Sequence, residues 1–119
     1  MIDRDCRCLV TGAAGFVGSH LVERLVRAGV RVRALVHYRS LPGLGNIDLI
    51  GRDVRDALEI VPGDVTDSVC IDQCVAGCDL VFHLAAIISI PASYEMPNLV
   101  QAVSAGGTLN VLNASRRPG

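Results

Sequence analysis

The chain has 119 residues, half of them apolar, with 11 basic and 12 acidic side chains and a formal net charge of −1. This length suffices for one core and falls short of two domains of ordinary size, so residues 1–119 read as one domain. Near-balanced charge, with no like-sign run longer than Arg116-Arg117, excludes the electrostatic footprint of a nucleic-acid or anionic-membrane binder and favours a small-molecule partner.

The first five residues, Met1-Ile2-Asp3-Arg4-Asp5, mix acid and base where a secretory signal places basic residues and then an apolar run. A cytoplasmic protein with no membrane partner is the expectation. Arg7 to Thr11 predicts a first strand, followed by a glycine-rich turn. Phe16, Leu21, Val22, Leu25 and Val26 then recur at helical spacing until Gly29 ends the helix. Val30 to Val36 alternates Val and Arg before turning fully apolar, which predicts a strand with one partly exposed edge near its start. Residues 37 to 56 hold Pro42, Gly43, Gly45 and Gly51 among scattered charges and predict a loop with at most one helical turn near Ile47 to Ile50.

Leu58 to Val61 predicts a third strand that ends at Pro62-Gly63. Asp67 then caps a helix through Val75, closed by Gly77. Asp79 to Leu84 is a fourth strand. The apolar run Leu80 to Ile90, with His83 inside it, is shorter than the roughly 20 residues of a spanning helix and reads as a buried strand and its exit. From about Ser93, the apolar residues Leu99, Val103, Leu109, Val111 and Leu112 predict one long helix. Gly106-Gly107 weakens it and admits close packing. Arg116-Arg117-Pro118-Gly119 has the character of a helix end leading to another strand.

Strands alternating with helices in this way predict an α/β fold, a partial doubly wound (Rossmann) parallel sheet in the order 3-2-1-4, truncated before strand 5. The five cysteines include Cys6 and Cys8 two apart in a strand-like run and Cys70, Cys74 and Cys78 four apart, on one face if that stretch is helical. They read as small apolar packing residues, since neither a CxxC pair nor a neighbouring histidine points to a metal or redox site.

The chemistry concentrates in Thr11-Gly12-Ala13-Ala14-Gly15-Phe16-Val17-Gly18, between the first strand and the first helix, where such glycines signify dinucleotide binding. Gly12 permits a tight turn, Gly15 admits a pyrophosphate close to the backbone, and Gly18 lets the helix pack closely. Free N–H groups from Gly15, Phe16 and Val17 face the phosphates, and the helix dipole favours their charge.

With its preceding threonine, this GxxGxxG spacing resembles the short-chain dehydrogenase/reductase superfamily. Gly63-Asp64-Val65-Thr66-Asp67 is similar to that superfamily's adenine-side motif. Val81-Phe82-His83-Leu84-Ala85-Ala86 resembles the fourth-strand motif beside the cofactor in the extended, NAD-dependent epimerase/dehydratase branch. Gly107-Thr108-Leu109-Asn110-Val111-Leu112 matches the GTxNVL segment of the next helix. Leu35 to Ser40 and Ile90 to Tyr94 are similar to segments of nucleotide-sugar 4,6-dehydratases of the legionaminic-acid type. The chain departs from them at Ser104, where those enzymes carry asparagine, and in Leu41 to Asp48, which lacks their tryptophans.

The resemblance implies that Asp64 binds the adenine amino group, that Val65 packs on that ring, and that Leu84, Ala85 and Ala86 lie beside the cofactor. Asp64 also reads as a turn former after Gly63. His83 is read as a core histidine with a satisfied ring over a catalytic base. The resemblance further implies a nucleotide sugar as substrate and a homodimer for the full-length form.

Superfamily members lower the pKa of a tyrosine with a lysine in a YxxxK pair, and this chain contains no lysine, so neither Tyr38 nor Tyr94 has that partner. No catalytic residue is therefore assigned, and the chain by itself is expected to be inactive. A non-catalytic NAD(P)-binding module or a nonfunctional fragment is the alternative. As for the cofactor, the second strand ends in His37-Tyr38-Arg39-Ser40, with no carboxylate before Asp48. Arg39 would pair with a 2′-phosphate and Ser40 would add a hydrogen bond, favouring NADP, with NAD as the alternative. Arg39 as a solvated loop residue is the competing reading.

Overall fold

The computed structural model describes residues 5–37, 43–86 and 90–116. Four parallel strands, β1 (Arg7–Thr11), β2 (Arg31–His37), β3 (Glu59–Gly63) and β4 (Leu80–His83), form one sheet in the order β3-β2-β1-β4. This is the expected order. Its register pairs Val10 with Ala34 and Phe82, and Leu35 with Val61. Pro62, which has no N–H to give, is accommodated because β3 is an edge strand.

Alternation along the strands divides the core in two. Cys8, Val10, Val32, Ala34 and Val36 face α1 (Phe16–Arg27) through Val22 and Leu25, together with Ile47 and with Val54 of α2 (Arg52–Asp56). Leu9 and Leu35 face the other way, against Ile71 and Cys74 of α3 (Ser68–Val75) and Val111 and Ala114 of α6 (Gly107–Ser115). Both faces are thus covered, as a parallel sheet requires. Cys8 and Cys74 are fully enclosed, and burial pushes their thiols up to about 11 and about 12, so they pack as neutral SH groups.

Two expectations need correction. The segment after β2 contains a 3₁₀ helix (Gly45–Leu49) and also α2, which was expected to be loop. The long helix expected from Ser93 is broken into α4 (Ile90–Glu95), α5 (Pro97–Val100), a π-helical turn (Gln101–Gly106) and α6. Pro97 starts a new helix at its first position, where a missing N–H costs nothing, and Met96 before it is non-helical. The start of β2 is partly exposed as expected, with Arg31 open to solvent, while the Arg33 side chain is 12% exposed. Its guanidinium lies under the end of α3 and donates to the carbonyls of Cys74 (2.6 Å) and Ala76 (3.0 Å), and Nε donates to Glu59 (2.9 Å). Those carbonyls are the orphan acceptors of a helix C-terminus, which attract a cation.

Candidate cofactor site

β1 leads into a turn that only glycine fits. Gly12 has φ +66°, and a β-carbon there would lie 2.8 Å from Ala85 N and 2.9 Å from Leu84 C. Gly18 sits directly behind, where a β-carbon would collide with the Gly12 carbonyl. The contact that demands Gly18 is therefore between helix and turn. Gly15 is the N-cap of α1, with φ −75° and a would-be β-carbon 3.3 Å from Gly12 O. No side chain caps α1 and no acid lies in its first turn, whereas Asp67 caps α3 by accepting from Val69 N and Cys70 N. The two helix starts thus differ: a side chain takes the first N–H groups of α3, and none takes those of α1.

Beside this turn, at the carboxyl ends of the strands, lies a cavity of about 380 Å³. Gly12, Asp64, Val65, Ala85 and Ala86 line it together, bringing five of the sequence-expected residues to one place. Leu84 sits just behind, its N–H held by Thr11 Oγ1 at 3.0 Å. Phe16 and Val17 point outward, 73% and 65% exposed, and Phe16 borders a separate pocket with His20, Glu23 and Asn46. Arg39 and Ser40, with Tyr38, lie outside the described residues.

The cavity also recruits residues that sequence reading missed. Leu99 and Val103 reach it from α5 and the π turn, and their spacing of four was the available signal. His37, the last residue of β2, also lines it and pairs with Asp64, Nε2 to Oδ2 at 3.4 Å. A carboxylate thus does stand near the end of β2, supplied by the exit of β3. Partial burial pushes the Asp64 carboxyl up, but the Thr66 backbone N–H at 2.9 Å, the Thr66 side chain and His37 outweigh it, so the pKa falls below its ordinary value. Asp64 is therefore an ionised acceptor at neutral pH, suited to an amino group. Gly63 keeps this loop close to α3, since a β-carbon there would be 2.5 Å from Cys70 Sγ.

His83 is half-buried with both ring nitrogens bonded, Nδ1 to Thr11 Oγ1 at 2.8 Å and Nε2 to Thr108 Oγ1 at 3.0 Å, as the core-histidine reading expects. Burial lowers its pKa. On the far wall, Gly107 lies against Val65, where a β-carbon would meet Val65 Cγ2 at 2.8 Å. Asn110 Nδ2 donates to Val65 O at 2.8 Å. Of the two adjacent glycines it is Gly107 that permits this close approach, since a β-carbon on Gly106 would meet nothing nearer than Gln101 O at 3.9 Å. Among the described residues, no helix is long and apolar enough to cross a membrane.

A turn that excludes side chains, an uncapped helix start and an apolar slot with one carboxylate can together hold a dinucleotide: the slot takes a planar base, and the helix start takes the phosphates. Comparison with known proteins agrees. The family described as GDP-mannose 4,6 dehydratase matches residues 9–119. A 3β-hydroxysteroid dehydrogenase/Δ5→4-isomerase of Mycobacterium tuberculosis is 37% identical over 95% of the chain and 29% of its own length. A dTDP-glucose 4,6-dehydratase of the same species is 35% identical over 95% of the chain and 34% of its own length. A UDP-glucose 4-epimerase from Stenotrophomonas maltophila, solved with bound NAD and formylated UDP-arabinopyranose, superposes with TM-score 0.76 at 28% identity, over 92% of this chain and 33% of that one. The chain spans about a third of the length of the curated relatives it matches. With 111 consecutive residues matched by the family, the chain belongs to the NAD-dependent epimerase/dehydratase family, of which it corresponds to the N-terminal portion.

Proposed function

We propose that this chain is the cofactor-binding portion of an NAD(P)-dependent enzyme acting on a nucleotide sugar, with 4,6-dehydration the favoured reaction. The observation that carries the reading is the cavity at the carboxyl ends of the strands, where Gly12, Asp64, Val65, Ala85 and Ala86 converge beside an uncapped helix start. Asp64 accepts from the adenine amino group, Val65 packs on the ring, and the N–H groups of Phe16 and Val17 hold the pyrophosphate beside Gly15, whose own N–H, expected to be free, is taken by Gly12 O at 3.1 Å. When bound, the nicotinamide supplies hydride transfer. The matching family and the mycobacterial dehydratase favour dehydration of a hexose. A second reading, oxidation of a hydroxysteroid on the same cofactor, is favoured by the 37% identity to the steroid enzyme.

NADP is the preferred cofactor in this proposal, with Arg39 on the 2′-phosphate and Ser40 beside it. The chain has no lysine to activate a tyrosine, so it turns over no nucleotide sugar by itself. Cytoplasmic location and a homodimeric full-length form complete the reading. Calorimetric titration of NAD and NADP at fixed salt, on the chain and on Arg39→Ala, tests it. The expected result is tighter NADP binding that is lost in the variant. Tighter NAD binding by the parent overturns the NADP assignment, and absence of binding by either overturns the cofactor site.

A further inference from the structure

The wall of the cavity is held from behind by a directed run of hydrogen bonds. Thr108 Oγ1 donates its single proton to Ser104 O at 2.6 Å, so toward His83 it offers lone pairs and Nε2 carries the hydrogen. Nδ1 is then an acceptor, and takes the hydroxyl proton of Thr11 at 2.8 Å. With that proton engaged, Thr11 Oγ1 uses its lone pairs for the backbone N–H groups of Leu84 at 3.0 Å and Ala85 at 3.1 Å. Each hydroxyl has one hydrogen, so the direction of every bond follows from the first. The run joins α6, β4 and β1, and its last member, Ala85, lines the cavity opposite the Gly12 turn.

We propose that His83, in its neutral Nε2–H form, is a positioning residue for the dinucleotide: through Thr11 it clamps the Leu84-Ala85 backbone against the Gly12 turn, and protonation of the ring releases that wall. The inference rests on the cofactor reading of the cavity. A protonated ring turns an N–H toward a Thr11 oxygen that already accepts two, and one backbone N–H is displaced. The wall has no slack to absorb this, since even a β-carbon on Gly12 would lie 2.8 Å from Ala85 N. The groups that bond the ring are the hydroxyls of Thr11 from β1 and Thr108 from α6, neither of which titrates. Burial lowers the ring's pKa. The folded state therefore takes up the proton less readily than the unfolded chain. The clamp is whole above the unfolded imidazole pKa of about 6.5 and opens as the pH falls through the lowered folded value.

His37 and Asp64 also line the cavity and bond to each other, so they influence dinucleotide affinity on their own account, and the wall is read at its own amides. Long-range ¹H–¹⁵N correlation of the His83 ring is expected to show the Nε2–H tautomer at pH 7.5. On titration to pH 5, the Leu84 and Ala85 amide shifts should move with the ring. Over the same range NAD should weaken by about fivefold more in the wild type than in His83→Gln, the worth of one backbone hydrogen bond. If His83→Gln does not fold, the wild-type ring and amide titrations decide alone. An Nδ1–H tautomer, or amides indifferent to the ring while NAD binds, overturns the clamp. Amides that follow the ring while no dinucleotide binds at any pH overturn the cofactor reading and leave the clamp standing.

Discussion

Two glycines of the same turn separate folding from binding. Gly12 has a left-handed backbone and no room for a β-carbon, so Gly12→Ala should lose about 3 kcal/mol from strain and displacement of the Leu84-Ala85 wall. Gly15 has an ordinary φ of −75° and a nearest neighbour at 3.3 Å. Gly15→Ala should keep its stability within about 1 kcal/mol while dinucleotide affinity falls about tenfold, because in the proposed cofactor site the methyl stands where the phosphates approach. Urea unfolding and calorimetry on both variants check this, and equal loss of stability in the two would contradict it. The tight turn at Gly12 was legible in the sequence because it is set within a run of eight residues, whereas its close approach to Leu84 and Ala85 depends on the pairing of β1 with β4. The pairing of His37 with Asp64 was not legible either, since the two meet through the β2–β3 register, which places His37 opposite Gly63. The order of hydroxyls around His83 was hidden for the same reason, although its satisfied ring was expected.

At the level of elements, legibility followed the length of the local pattern. α1 has twelve residues and buries Val22 and Leu25 at helical spacing, and α3 opens on Asp67, so periodicity and cap sufficed. α2 has five residues, of which Val54 alone is buried, and one turn carries no period to read. Arg33 shows how one side chain can join two elements: it leaves β2 on the face that carries Leu35, and there the end of α3 supplies acceptors in place of solvent. Arg33→Met keeps the apolar stem and removes the donors. It should cost about 2–4 kcal/mol, the sum of hydrogen bonds to a charged group at a mostly buried site. Faster amide exchange in α3 than in α1, with a lowered urea midpoint, is the expected signature. An unchanged midpoint would place the anchorage of α3 elsewhere.

For the molecule as a whole, strand order was readable because few topologies satisfy right-handed crossovers, and the cavity runs across the carboxyl ends of the strands from β3 to β4. The reach of Leu99 and Val103 into that cavity was only hinted at by their spacing of four, because Val103 belongs to the π turn. A π turn holds one residue more than the α turn it replaces and winds less per residue, so the helices on either side keep the phase they would have without the extra residue. Leu99 and Val103 line the cavity, and beyond the turn Thr108 meets His83 while Asn110 meets Val65. Deleting Ala105 should therefore close the segment into an ordinary α-helix with Leu99 and Thr108 still on their partners, leaving the helical content by circular dichroism and the urea midpoint nearly intact; a collapsed midpoint would show that the flanking faces need the surplus residue. The turn acts as a buffer of register: one residue can be lost from Gln101 to Gly106 with less harm than from α6, where every position past the deletion would turn by about 100°.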